Sequence, residues 1–473
     1  MYALQVGTAV SRRGWLKGWP SCSRLTSCRD SLAGLGGNNH VNSRRRYSEV
    51  GLGSLTEVEK IMTDSVKATG PISFSTYMQL CLSHPTHGYY MRNENAVFGA
   101  RGDFITSPEI SQVFGELTAI WLLERWMSDA RAKEQNFRLV ELGPGRGTLM
   151  DDILRVVSQF PNLRQKLKSV HLVETSQSMR TLQEQKLRRV CQSNGWEIFW
   201  HDSAVDIPQG TGEYTMLVAH EFFDALPVHV LEKTQQGWHE VLIDIAQSPV
   251  DRFSVKTNPS PLLINQPSMT SLSARWKRVL SPTPTAISTL LGFASPRFNA
   301  LPIGARIEVS AVTMKTARQI GEMIQEGGSA LIIDYGKDNV FGDSLRAFKN
   351  HKIVDIFHRP GECDITANVD FAFLKDTMSD IVTTHGPIPQ STFLARLGMQ
   401  LRIDALVRAA KSPERRETIE QAAKRLIDPL GMGSQYQFLG ITNKMEGEKS
   451  NEGVWPFIDV NEESQNNTTT TTT

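Results

Sequence analysis

The chain has 473 residues, of which 40% are hydrophobic and 21% charged, and its formal net charge is +1. This is the composition of a globular enzyme, long enough for one large domain with an insertion or for two or three domains, and its charge balance argues against nucleic-acid binding. No stretch approaches the roughly 18 apolar residues of a membrane span, and the five cysteines show no CxxC pairing, which argues against a zinc site or a disulfide framework.

Charge is unevenly placed along the chain. Residues 1–48 hold eight Lys or Arg and one acid, Asp30, whereas the remainder carries a net −6. This Arg- and Ser-rich, acid-poor start resembles a mitochondrial presequence. "RRYS" (45–48) resembles a matrix processing site with the cut after Tyr47. Residues 1–47 are therefore expected to be a presequence and the protein to lie in the mitochondrial matrix. The alternative is a basic arm that binds an acidic surface.

Residues 48–136 read as an N-terminal helical and lid region. Helical patterns cover 56–69 and 73–84. "RGDFITSPEI" (101–110) is a polar loop running into a helix, with Ser107 suited to the N-cap and Pro108 to the first helical position. Val113, Phe114, Leu117 and Trp121 then recur at helical spacing and should face a core.

From residue 137 to 445, short apolar runs alternate with helical patterns. The strands are "RLVELG", "SVHLVE", "WEIFWH", "YTMLVAHEFF" and "GGSALIIDYG" (327–336), with helices between the first few. Strands separated by helices imply parallel crossovers and a sheet covered on both faces. Residues 247–302, rich in Pro, Ser and Thr, read as an insertion lying outside that sheet. "KIVDIFHR" suggests a short strand and "DIVTTHGPIPQ" an edge strand. A helical insertion follows at 387–432, and "QFLGIT" closes the domain. Residues 446–473 end in a threonine run and are expected to be disordered.

The chemistry begins at "FRLVELGPGRGTLMDDIL" (137–154). Gly143, Gly145 and Gly147 stand at alternate positions, with Glu141 two residues before the first. Such a loop lets a ligand approach the backbone, and the helix start behind it offers free N–H groups. The spacing is not the GxGxxG of dinucleotide enzymes, and an acid in the strand repels pyrophosphate. S-adenosyl-L-methionine (SAM) fits instead, with its sulfonium, ammonium and carboxylate and no phosphate. Glu141 could address the ammonium through backbone or water. Glu174, ending the second strand, suits the ribose hydroxyls. Asp202, after the third, could accept from the adenine amino group. A dinucleotide site and a purely structural turn remain the alternatives.

"HEFFDALP" (220–227) ends the fourth strand, where an α/β sheet places its ligands. Glu221 and Asp224 are candidate catalytic residues there. Two carboxylates can grip a guanidinium, localise its charge and accept a proton as a nitrogen is methylated. Phe222 and Phe223 could supply apolar walls. The plain alternative is a turn whose acids cap helices or pair at the surface. Arg101 and Asp103 lie in a glycine-flanked loop that could close over a cofactor, with the tyrosines of "HGYYM" (87–91) nearby.

Taken together, "HGYYM", "GDFITSPEISQVFGEL", "VELGPGRGTLMDDILR", "HLVETS", "HEFFDALPVH", "GGSALIIDYG", "DITANVDF" and "HGPIPQ" resemble the MidA-type mitochondrial protein arginine methyltransferases, which assist assembly of respiratory complex I. The likeness covers about residues 55–245 and 303–443. It implies a class I SAM-dependent methyltransferase fold: Rossmann-like α/β, with a seven-stranded mostly parallel sheet, N-terminal helices and inserted lid or substrate elements. It implies SAM as cofactor and symmetric dimethylation of an arginine in a core subunit of complex I. By position, Gly143, Gly145 and Gly147 would form the cofactor loop, Glu174 the ribose acid, and Arg101, Asp103 and Ser107 the loop over the cofactor. Glu221 and Asp224 match the strand-four motif. The sequence departs from the family at His220, where asparagine is common, and at Asn368, where histidine is usual. A non-catalytic, SAM-binding assembly chaperone and a small-molecule methyltransferase stay open as alternatives. So does the oligomeric state, a homodimer among the options.

Overall fold

The computed structural model describes residues 54–92, 105–246, 275–444 and 453–458. Arg101, Asp103 and the expected presequence lie outside the described residues. The central sheet has seven strands: β1 (Phe137–Leu142), β2 (Leu167–Val173), β3 (Glu197–His201), β4 (Tyr214–His220), β5 (Gly328–Lys337), β6 (Val382–Pro389) and β7 (Tyr436–Asn443). Their hydrogen-bonded order is β6-β7-β5-β4-β1-β2-β3, and a two-residue strand, Val369–Asp370, adds beside the end of β5. From β5 through β3 all neighbours are parallel, whereas β7 runs antiparallel between β5 and β6. The chain moves outward from β1 through β2 to β3, then returns to β4 on the other side of β1. The crevice at the carboxyl ends of β1 and β4 is therefore the topological switch point where such sheets bind ligands.

Strand periodicity distributes the core. Phe137 and Leu139 of β1 point to one face, and Val140 and Leu142 to the other. The first face is covered by helices α3 (Gln112–Ser128), α4 (Thr148–Ser158) and α5 (Gln177–Asn194), through side chains such as Trp121, Ile153 and Leu187. The other is covered by α6 (Ala311–Gln325) and α7 (Phe371–Met378), through Ile320, Met323 and Leu374. Covered on both sides, the inner strands β4 and β5 are apolar nearly throughout, which is why they are legible as short hydrophobic runs. Each fully buried Leu, Ile or Phe contributes about 1.5–3 kcal/mol relative to exposure.

A second lobe sits over the site end of the sheet. Helix Glu57–Thr69 begins in a capping box, Thr56 Oγ1 accepting from Glu59 N at 3.0 Å and Glu59 Oε2 accepting from Thr56 N at 2.8 Å. Helix Phe74–Ser83 follows. Both pack on a five-stranded antiparallel sheet, ordered Ile72–Ser73, Gly237–Ile245, His229–Thr234, Arg306–Val309, with Trp276–Leu280 pairing Gly237–Ile245. A three-stranded sheet, Lys352–Val354, Arg346–Lys349 and Asp364–Thr366, completes the lobe. Regular structure between β4 and β5 thus starts at His229, well before the Pro/Ser-rich stretch expected at 247–302. That stretch itself contributes the strand Trp276–Leu280 and helices Ala286–Gly292 and Pro296–Asn299.

Two further local expectations are corrected. Ser107 is the first residue of a one-turn helix, Ser107–Ile110, whose N-cap is Thr106. The cap that starts the long helix α3 is Ser111, accepting from Val113 N at 3.3 Å. Residues 453–458, read as part of a disordered tail, pack against the fold: Trp121 Nε1 donates to Trp455 O at 3.0 Å, and Phe457 meets the Trp121 ring edge-on with centroids 5.9 Å apart. Among the described residues no helix is long and apolar enough to cross a membrane.

Candidate active site

The crevice at the switch point is a cavity of about 330 Å³. Its floor is the glycine loop after β1. Gly143, Gly145 and Gly147 have φ of 66°, 51° and 75°, a region that side chains with a Cβ resist. A Cβ on Gly143 would also stand 3.0 Å from the Phe222 ring. Gly143 and Gly145 line the cavity, whereas Gly147 turns the chain into α4 with its back to α5.

Glu174 lines the cavity at the end of β2. Its Oε1 accepts from Ser176 N at 2.8 Å and its Oε2 from Gln183 Nε2 at 3.2 Å. Gln183, fully buried on α5, also donates to Gly145 O at 2.7 Å and accepts from Trp200 Nε1 at 2.9 Å. One amide thus ties the glycine loop to Glu174 and to β3. Local pattern gave no signal for it, because a lone Gln inside a polar helix reads as surface. Asp202 stands at the cavity rim, 79% exposed and paired with Arg180 at 2.5 Å.

Opposite the glycine loop, Glu221, Phe222 and Asp224 line the wall that follows β4. Phe223 turns away into the core. Glu221 holds φ at 49°, with its N–H bonded to Ile333 O at 3.0 Å. Tyr436 Oη donates to Glu221 Oε1 at 2.6 Å. Tyr335 Oη lies 2.5 Å from Tyr436 Oη. A phenol has one proton, so Tyr335 donates to Tyr436, and Tyr436 to the carboxylate. Asp334 sits beneath the turn, its Oδ2 accepting from Phe223 N at 3.0 Å and Asp224 N at 3.2 Å. Asp364, from the second lobe, lines the same cavity.

Burial, followed by its acidic neighbours, pushes the Glu221 carboxyl from its ordinary 4.5 up to about 8. Burial likewise lifts Asp334 to about 7. Asp224 is raised by burial and then by Asp334 and Glu221. His220, buried against Phe114 and parallel to the Tyr436 ring, is pushed down by burial to about 3 and is neutral.

Of the remaining candidates, neither Glu141 nor Ser107 reaches the cavity wall. Glu141 shares the strand face of Leu139 and lies under α4, 2% exposed, with burial raising its carboxyl to about 8. Ser107 Oγ, fully buried, donates to Gln390 Oε1 at 3.1 Å.

The lining chemistry discriminates among ligands. Five acids face the cavity (Glu174, Asp202, Glu221, Asp224 and Asp364), and among the described residues no Lys, Arg or His does. A pyrophosphate would meet acids on every side. A sulfonium amino-acid nucleoside fits: a carboxylate at the end of β2, a loop open to close approach, and an anionic wall for positive charge.

Comparison with known proteins agrees. Residues 117–388 match the family described as "Putative S-adenosyl-L-methionine-dependent methyltransferase". The mitochondrial protein arginine methyltransferase NDUFAF7 of Danio rerio is 38% identical over 401 residues, covering 81% of this chain and 86% of that one. The Homo sapiens protein of the same name is 35% identical, covering 80% and 81%. A crystal structure of a COG1565 superfamily member from Burkholderia thailandensis bound to S-adenosyl-homocysteine superposes with a TM-score of 0.63 at 22% identity, covering 82% of this chain and 92% of that one, a likeness of fold. With its strand order, its acid-lined crevice and these relatives, the chain belongs to the MidA-type family of SAM-dependent methyltransferases, the family that includes the mitochondrial protein arginine methyltransferases of Danio rerio and Homo sapiens.

Proposed function

We propose that this protein methylates arginine in a protein substrate, using Glu221 and Asp224 as the groups that hold and deprotonate the guanidinium. The observation that carries the reading is the wall of carboxylates facing the glycine loop across one cavity, with no basic side chain among the described lining residues. SAM, when bound, supplies a methyl group on a sulfonium cation. On the protein side, Gly143 and Gly145 give the backbone room against which the amino-acid part can lie, and Glu174 presents oriented oxygens to the ribose. Glu221 and Asp224 receive the acceptor. Tyr436 occupies Glu221 Oε1, which leaves Oε2 to accept from the guanidinium.

Burial favours protonated carboxyls in this wall, but a guanidinium reverses that preference, since an adjacent cation stabilises the ionised form. The resulting carboxylates draw charge toward the nitrogens they grip and leave another nitrogen free to attack. Glu221 Oε2 takes the proton that this nitrogen loses as its bond to the methyl carbon forms and the sulfur–carbon bond breaks. Holding the nitrogen in line with that bond is a positioning task, served by the rigid turn bonded to Asp334.

The relatives' names favour arginine as the acceptor. The resemblance noted in the sequence extends the proposal to symmetric dimethylation of a core complex I subunit in the mitochondrial matrix, in support of complex I assembly. The test is transfer of labelled methyl from SAM into an extract of mitochondria lacking this protein, followed by mass spectrometry of the labelled residue. Symmetric dimethylarginine on a complex I subunit is expected. Label confined to lysine or to small molecules would overturn the reading.

A further inference from the structure

Three neighbouring strands converge on Glu221. Its own N–H is bonded to Ile333 O of β5 at 3.0 Å. Two residues further along β5, Tyr335 stands directly opposite Tyr436, the first residue of the antiparallel strand β7. The centroids of the two rings lie 4.2 Å apart, with the planes tilted by 40°. Tyr335 lines the cavity. Tyr436 is 1% exposed and reaches Glu221 Oε1 at 2.6 Å. Burial, followed by Glu221, raises both phenols well above their ordinary range. Each therefore keeps its proton, and the donor order runs from Tyr335 through Tyr436 to the carboxylate.

We propose that Tyr436, braced by Tyr335, is a positioning residue for methyl transfer: it commits Glu221 Oε1 to the protein, turns Oε2 to the acceptor and keeps the carboxyl able to take a proton. This rests on Glu221 being the base in the reading above. The surroundings of Glu221 otherwise oppose its ionisation. Burial raises its carboxyl most, Asp334 and Asp364 add to that, and the bond from Tyr436 is the influence that lowers it. Asp224, in the same wall, is raised in turn by Glu221. His220 Nε2 lies 3.5 Å from the same Oε1 but is neutral and offers no charge. Arg346 stands 5.8 Å from the Tyr335 ring centroid and gives Nη2 to Asn368 Oδ1 at 2.6 Å. A phenol bonded to a carboxylate favours the ionised form, and accepting from a second phenol makes the first a stronger donor. The antiparallel strand β7 thus contributes to the chemistry at the end of β4 through a single hydroxyl.

The test is the pH dependence, between about pH 6 and 9.5, of labelled-methyl transfer from saturating SAM into protein arginine, with a dilute extract of mitochondria lacking this protein as acceptor. At low acceptor concentration the rate reports ionisation of the base before the acceptor binds. Removing a bond that favours the ionised form raises the carboxyl. In Tyr436→Phe the acid limb should therefore move up by about one pH unit, so that the rate falls by about 10-fold at pH 7 and approaches the wild type at the alkaline end. Tyr335→Phe should move the limb the same way by about half as much, since Tyr436 still donates. The affinity of Tyr436→Phe for S-adenosylhomocysteine should not change. On a Glu221→Gln background, Tyr436→Phe should alter the residual rate by no more than about twofold, because the group it acts through is gone. A limb that stays at the wild-type pH in a Tyr436→Phe protein that binds S-adenosylhomocysteine would overturn this inference and leave the methyltransferase reading standing. So would an equal loss at every pH, the mark of a merely structural role. A wild type that labels no protein arginine would remove both. Should Tyr436→Phe fail to fold, Tyr335→Phe decides, and an unmoved limb there counts against the pair.

Discussion

Glu221 is an expensive residue to keep. It places a non-glycine backbone at φ 49°, which costs on the order of 1 kcal/mol, and it buries a carboxyl beside other acids. Glu221→Gln preserves shape and can still accept from Tyr436, so S-adenosylhomocysteine affinity should be unchanged while single-turnover methyl transfer falls by about 10²- to 10⁴-fold. Transfer within twofold of wild type would remove Glu221 from the proton step. Gly145, at φ 51° on the cavity floor, tests the cofactor side. A β-branched residue there is strained and sits on the cavity floor, so Gly145→Val should weaken SAM binding by at least about 10-fold in a folded protein. Unchanged affinity in calorimetry would refute the assignment of the loop. Gly143, Gly145, Glu174, Asp202, Glu221 and Asp224 could be found in the sequence because each follows directly on a recognisable strand. Tyr436, which bonds Glu221 from 215 positions away, and Asp364, whose partner Tyr90 is 274 positions away, carry no such local mark. Ser107 misled for the opposite reason: "SPE" is a good local helix start, but the longer helix took its cap from Ser111.

At the level of elements, the crossover strands and the two N-terminal helices of the second lobe were legible, and most of that lobe's strands were not. Strands such as His229–Thr234 are half-exposed, and they pair across long intervals, Leu231 with Ile307 for example. No window of sequence shows both partners. The site depends on couplings between elements of this kind, and Gln183 is the most economical of them, since α5 reaches the glycine loop and Glu174 through one amide. Gln183→Leu keeps the volume and removes both donors. Gly145 O and Glu174 Oε2 then lose their partner, at about 1–3 kcal/mol for each buried acceptor left unsatisfied. The KM for SAM should rise by about 10-fold, with kcat at saturating SAM near the wild-type value, because Glu221 and Asp224 are untouched. A variant with normal KM would show that the loop keeps its shape without α5.

For the whole molecule, the acid-lined cavity sets stability against function. Glu221, Asp224 and Asp334 all have carboxyls raised by burial. A raised carboxyl keeps its proton in the folded state after the unfolded chain has lost it, so the fold binds more protons and stability falls as pH rises. For Glu221 the loss begins near the ordinary 4.5 and is complete above about 8, with a slope of up to about 1.4 kcal/mol per pH unit. Urea unfolding of wild type and Glu221→Gln at pH 5, 6.5 and 8.5 measures this share together with the part of the Asp224 shift that Glu221 causes. The variant should gain on the wild type steadily across the series and be the more stable protein at pH 8.5. A constant difference between them would mean that Glu221 ionises in the fold as it does in the unfolded chain. The same linkage governs the acceptor: a guanidinium seated among these carboxyls drives their protons out. Binding an arginine probe at pH 6.5 should therefore release protons, measured as a dependence of the calorimetric heat on the ionisation enthalpy of the buffer, and the release should shrink as the pH is raised past 8.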